Sequence, residues 1–114
     1  MTHQAPPVPP AAGADPGRQL AQLREVLRLV ERIAGRQSAA EAGLDEAAKL
    51  SAAYDRALPV AQRRFDALAS ETAIWAAAGV EALLAAGEPA PRAAAARLAD
   101  SLKRALGELE RSLI

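Results

Sequence analysis

Apolar residues recur three and four positions apart in four successive stretches of the chain, and prolines or glycines separate these stretches. This spacing places the apolar side chains on one face of an α-helix, whereas a half-buried strand requires strict alternation of apolar and polar residues. The sequence shows no stretch typical of a strand. It therefore predicts an all-α fold made of four amphipathic helices.

The first stretch predicts a helix over residues 16–35. Asp15 is a typical N-cap residue, Pro16 suits the first helical turn, and Gly35 can end the helix. The apolar face consists of Leu20, Leu23, Leu27, Val30 and Ala34, and it is widened by Val26 and Ile33.

The second stretch ends before Pro59, and two starting positions are open. Ser38 followed by Glu41 is a capping-box pattern, but Gly43 weakens the first turn and leaves Asp45 as an alternative start. Pro59 disfavours the helical conformation of the residue before it. We therefore expect a break at this proline, with one long kinked helix as the alternative.

Two further helices are predicted over residues 59–86 and 91–113, with Gly87, Pro89 and Pro91 in the turn between them. The first of these has a core-facing stripe at Ala61, Phe65, Leu68, Thr72, Trp75, Gly79 and Leu83. The second has one at Ala94, Leu98, Leu102, Ala105, Leu109 and Leu113, with Leu106 at its edge.

Four amphipathic helices joined by short loops pack most simply as an antiparallel up-down four-helix bundle. A three-helix bundle with a helix kinked at Pro59 is the alternative. We expect residues 16–114 to form this single domain. Residues 1–16 hold five of the eight prolines and almost no large apolar residue, so we expect a disordered Pro-rich tail over residues 1–15.

The core of such a bundle would be thin. Apolar residues make up 51% of the 114 positions, but 31 of them are Ala and only 27 are larger. A monomer would therefore bury few large side chains, which makes burial of apolar surface between subunits more attractive.

The residues that form the common catalytic centres are missing from this sequence. It contains no Cys, and its single histidine, His3, lies in the predicted tail. A cysteine or serine triad and a His-containing metal site are therefore excluded, and the sequence also lacks a Gly-rich phosphate loop. Glu81 is the best candidate for a carboxylic acid, but it lies about 160° around its helix from the core-facing stripe and points to water. We predict no enzyme, no cofactor and no metal.

The second half of the third helix is almost uncharged. Glu81 is the sole charge between Thr72 and Gly87, while Ile74 and Leu84 fall outside the core-facing stripe. A helix that is apolar nearly all round is buried on more than one side. The pattern predicts an interface with a second subunit or a partner protein, formed by Ile74, Trp75, Gly79, Val80, Leu83 and Leu84 with Trp75 as its anchor.

The net charge of zero conceals an uneven distribution. Residues 18–36 carry five Arg and two Glu, whereas residues 38–58 carry two basic and four acidic groups. Four arginines at four-residue spacing form a basic ridge opposite the apolar face of the first helix: Arg24, Arg28, Arg32 and Arg36. The ridge could contact phosphates or an acidic partner. The alternative is a solvated face that pairs in part with the acidic second helix.

We therefore expect a cytoplasmic, non-catalytic helical protein-interaction or adaptor module that self-associates or binds a helical partner. One alternative is a small DNA-associated regulator that uses the Arg-rich first helix, although zero net charge argues against a surface built for nucleic acid. A secretion or assembly chaperone is the other alternative. A membrane span requires about 18 uncharged apolar residues in succession, and the sequence contains no such stretch.

Overall fold

The computed structural model describes residues 15–36, 44–89 and 91–113. Within these ranges the chain forms four α-helices and no β-strand. We number them α1, Pro16–Ile33; α2, Leu44–Arg56; α3, Pro59–Ala85; and α4, Arg92–Arg111. The predicted tail, apart from Asp15, and the predicted capping box at Ser38 and Glu41 lie outside the described residues.

Both ends of α1 are set by the residues beside them. The carboxylate of Asp15 accepts a 3.1 Å hydrogen bond from the backbone N–H of Arg18, which confirms the predicted N-cap. At the other end Gly35 has a φ of 78°, in the left-handed region that glycine enters without steric cost. The N–H of Arg36 then bonds back to the carbonyl of Glu31 at 2.8 Å. The helix therefore stops at Ile33, two residues before the predicted end.

Helices α2 and α3 are separate, as predicted. Leu58 between them is extended, with φ −66° and ψ 151°, and Pro59 occupies the first turn of α3. The proline ring disfavours the helical conformation of Leu58, and the missing N–H of Pro59 costs nothing at a helix start. The alternative three-helix bundle with a helix kinked at Pro59 is therefore wrong.

The helices run alternately up and down, and ion pairs show that the first and last helices, α1 and α4, are antiparallel. Three residues from α1 and the turn after it pair with α4 in reverse chain order: Arg24 with Glu110, Glu31 with Lys103, and Arg36 with Asp100. Helix α1 packs against each of the other three helices, and α3 also packs against α4. The chain is thus a four-helix bundle with α1 at its centre.

The core is built from one face of each helix, and much of it is alanine. The buried apolar side chains of α1 are all large, whereas α3 and α4 contribute Ala69, Ala76, Ala95 and Ala99 beside their larger residues. The complete set in the described residues is Leu20, Leu23, Leu27, Val30, Leu50, Phe65, Ala69, Ala76, Leu83, Ala95, Ala99, Leu102, Leu106 and Leu109.

The buried face of α4 is rotated from the predicted one. Ala95, Ala99 and Leu106 are buried, whereas Ala94 and Leu98 are only half-buried. The reason is that α4 packs against both α1 and α3, and Leu98 lies against Gly79 of α3. A single periodic stripe cannot describe a face shared between two neighbours.

Tyr54 joins the end of α2 to the start of α3. Its ring meets that of Phe65 edge to face with centroids 5.7 Å apart, and its hydroxyl donates to the carboxylate of Asp66 at 3.0 Å. The side chain of Gln62 donates to the carbonyl of Tyr54 at 2.7 Å. Because Phe65 is fully buried, this corner anchors α3 to the bundle.

Replacing Gly17 by Ala should destabilise the fold, although alanine favours helices. A Cβ at this position would lie 2.6 Å from the Oγ of Ser51 and 3.0 Å from the carbonyl oxygen of Ala47, which belongs to the backbone of α2. We expect a loss of about 1–3 kcal/mol in the free energy of unfolding, measured by urea denaturation. The matched control is Gly107→Ala, where the added Cβ meets only the flexible end of Arg111. Equal stabilisation by both substitutions would contradict a tight α1–α2 contact.

The ionisation of Tyr54 can be followed directly because it is the only tyrosine in the chain. Burial, followed by the hydrogen bond to Asp66, raises its pKa above the ordinary value. The stabilisation linked to this shift is complete below about pH 10 and is lost as pH rises through the higher folded-state pKa. Absorbance titration should therefore place the midpoint above that of unfolded protein, and Asp66→Asn should move it down. A native midpoint that matches the unfolded one would contradict the contact.

Candidate functional site

The six residues of the predicted interface divide between the interior and the surface of the bundle. Leu83 is buried, and Gly79 lies against Leu98 of α4. Trp75 and Val80 are half-buried against the core, so Trp75 is not a free anchor. Ile74 and Leu84 are 72% and 67% exposed. Only these two of the six present large apolar side chains to solvent.

Ile74 and Leu84 belong to a longer stripe of exposed residues on α3. Ile74 lies about 180° around α3 from Phe65 and Leu83, the large side chains that anchor this helix in the core. A strict alternation of three- and four-residue steps connects it to seven other residues, and all eight are exposed. This outer stripe consists of Val60, Arg63, Ala67, Ser70, Ile74, Ala77, Glu81 and Leu84.

Such a stripe has the spacing of a coiled-coil seam, in which positions a and d of a heptad face a second helix. The signal was present in the sequence, but two features obscured it. Five of the eight residues are alanine, serine or charged, and the core-facing stripe of the same helix has a similar periodicity. Burial separates the two stripes.

An apolar groove adjoins the outer stripe. It has a volume of about 540 Å³, and it lies between the parallel helices α1 and α3. Alanines on α3 keep it open, because their side chains do not reach across to α1. Its apolar lining comes mainly from Leu23, Val26, Leu29, Ala73, Ala77 and Val80. Ser70, Ala77 and Glu81 belong to both the groove and the outer stripe.

Helix α3 is long and apolar enough to cross a membrane, by length and composition alone. Only 22% of its most apolar 18-residue stretch is buried in the bundle, far less than expected for the central helix of a soluble core. Two exposed carboxylates, Glu71 and Glu81, interrupt the apolar surface. The helix therefore has a large uncovered face that is apolar but not free of charge.

Most arginines of the predicted basic ridge form ion pairs with carboxylates of the same chain. Arg24 reaches Glu46 of α2 at 3.0 Å and Glu110 of α4 at 2.9 Å. Arg28 pairs with Glu25 at 3.0 Å, and Arg36 pairs with Asp100 at 2.9 Å. The hydrogen bond from Arg36 lowers the pKa of Asp100 below its ordinary value.

Arg32 is the exposed member of the ridge with no ion pair among the described residues. Glu31, which the sequence places among the arginines, is instead buried with 3% exposure and accepts a 2.8 Å contact from the ammonium group of Lys103. The first helix therefore offers far less free positive charge than its sequence suggests. Three of the four ridge arginines are paired, and two of them, Arg24 and Arg36, connect α1 and the turn after it to other helices.

Side chains that could bind a metal ion are not clustered in the part of the chain that the structure describes. It contains no cluster of three His, Cys, Asp or Glu side chains able to hold a metal ion. Glu81 is exposed on the outer stripe. His3 lies outside the described residues.

Comparison of this chain with models of known protein families finds no match, and neither curated proteins nor solved structures match it.

Removing Arg24 should cost stability, whereas removing Arg32 should not. Arg24→Met breaks ion pairs to two other helices, each worth a fraction of a kcal/mol at partial exposure, and we expect a loss of about 1 kcal/mol in the free energy of unfolding. Arg32→Met removes the same charge from an exposed position and should change the free energy of unfolding by less than about 0.5 kcal/mol. Urea denaturation at low and high salt measures both. Identical effects would show that Arg24 has no structural role.

Proposed function

We propose that this chain is a non-catalytic helical protein-interaction module that docks through the outward face of α3. The observation that carries the proposal is the exposure of Ile74 and Leu84 on the most apolar helix of the bundle. Exposed large apolar residues are common singly, but here they lie on one stripe beside an apolar groove. Such a surface, with a few polar groups at its edges, is typical of a protein interface.

The polar groups of this face favour a protein partner over lipid. Arg63 and Glu81 lie on the outer stripe itself, and Glu71 lies close to it. Charged side chains are costly inside the hydrocarbon of a bilayer, whereas a partner helix can supply charges of opposite sign. A helical partner also fits the form of the surface, because a seam of alternating three- and four-residue steps is complementary to another helix.

Binding through this face should be abolished by a charge at Leu84. Leu84→Glu places a carboxylate in the proposed interface, where burial without a partner would cost several kcal/mol. Sedimentation equilibrium would detect loss of self-association, and pull-down from native cells would detect loss of a partner. The matched control is Leu58→Glu, because Leu58 is 71% exposed but lies in the turn before α3.

We expect Leu58→Glu to behave as wild type in both measurements. The proposed function would be contradicted if the wild-type protein does not self-associate and if pull-down yields no partner whose binding is lost in Leu84→Glu. Circular dichroism of both variants establishes that the helices are retained.

A further inference from the structure

Two copies of the outer stripe of α3 that run in opposite directions are complementary to each other. Its eight residues lie in pairs at equal distances on either side of residue 72. Val60 mirrors Leu84, Arg63 mirrors Glu81, Ala67 mirrors Ala77, and Ser70 mirrors Ile74. Each pair suits contact across an interface: an aliphatic pair, an opposite-charge pair, a pair of alanines, and a small residue opposite a large one.

From this symmetry we infer that the occupant of the docking face is a second copy of this chain, with the two α3 helices antiparallel across a two-fold axis at residue 72. The inference rests on the proposed function and names its partner. In a two-fold interface, contact of residue i with residue j of the partner requires the reciprocal contact. The mirrored pairs of the outer stripe meet this requirement along its whole length.

Charge decides between the two directions of pairing. In the antiparallel arrangement Arg63 of each copy faces Glu81 of the other, which gives two attractive contacts per dimer. A parallel, in-register arrangement would place Arg63 opposite Arg63 and Glu81 opposite Glu81, and like charges in an interface are unfavourable. Within the described residues neither side chain has an ion pair in its own chain, so both remain able to pair between copies.

Side-chain size agrees with this register. Ala67 and Ala77 would face each other and let the helices approach toward the lower end of the usual 8–10 Å separation. Ile74 of both copies would lie near the axis, and the exposed Val60, at 53%, would cover Leu84 of the other copy. From Val60 to Leu84 the seam is about 36 Å long, at 1.5 Å per residue.

The bundle leaves this face accessible. Phe65 and Leu83 fix the opposite side of α3 in the core, and Gly79 turns toward α4. Among the described residues, Tyr54 of α2 contacts the first turns of α3. A second α3 can therefore approach the outer stripe without displacing a helix of its own chain.

A charge-exchange experiment on the full-length chain tests the register. Arg63→Glu alone, or Glu81→Arg alone, creates two like-charge contacts per dimer and should raise the dimer Kd about tenfold or more. The double variant exchanges the charges and should restore the Kd to within about threefold of wild type. Arg64→Glu is the matched control, because it changes the net charge identically but lies about 100° around the helix. It should leave the Kd near the wild-type value.

Cysteine cross-linking tests the direction independently, because the chain contains no cysteine of its own. Val60→Cys and Leu84→Cys should form a disulfide when the two variants are mixed. Each variant alone should not, since its two copies of the cysteine would lie about 36 Å apart along the helices and a disulfide spans less than about 7 Å between Cα atoms.

A monomer by sedimentation at up to about 1 mM, where even weak dimers form, would overturn the inference. Efficient disulfides within each single variant, or a dimer whose Kd is unchanged in the charge variants, would also overturn it. A monomer that binds another helical protein in a manner lost in Leu84→Glu would refute the dimer and leave the proposed function standing. Restoration by the double variant, together with cross-linking only in the mixture, would establish the dimer.

Discussion

The packing of α1 against all three other helices is the constraint on which the rest of the structure depends. Its buried leucines and Val30 are four of the ten large apolar side chains buried in the described residues, more than any other helix supplies. Helices α3 and α4 can then use alanine where they meet one another or α1, and this keeps them close. Because α1 contributes so much of the buried apolar surface, the bundle forms with only one side of α3 buried.

The lengths of the helices explain why the outward face of α3 stays uncovered. Helix α3 has 27 residues and α2 has 13, so α2 reaches only the beginning of α3, where Tyr54 contacts Phe65. Helices α1 and α4 cover the opposite side. The apolar residues beyond these contacts, Ile74 and Leu84 above all, have no covering element in the described part of the chain.

Charged residues of α1 form ion pairs within the chain, whereas Arg63 and Glu81 of α3 form none among the described residues. Three of the four ridge arginines on α1 and its C-terminal turn pair with carboxylates, two of them connecting α1 to other parts of the bundle. Such partly exposed pairs contribute little stability individually, but they favour one alignment of α1 with α4. On α3, Arg63 and Glu81 are instead placed symmetrically along an exposed seam. The same residue types therefore serve different ends on the two helices.

The sequence by itself determined the number, order and approximate ends of the helices, because periodicity, Asp15, Gly35 and Pro59 act through local backbone geometry. It also located the unusual half of α3, since an excess of apolar residues is visible without a structure. Only the tertiary structure decided which of those residues face solvent: Leu83 and Gly79 are used within the bundle, whereas Ile74 and Leu84 are not. It likewise decided that Arg24 and Arg36 are paired and that Glu31 is buried. Such outcomes depend on contacts between residues far apart in the chain, which local spacing cannot specify.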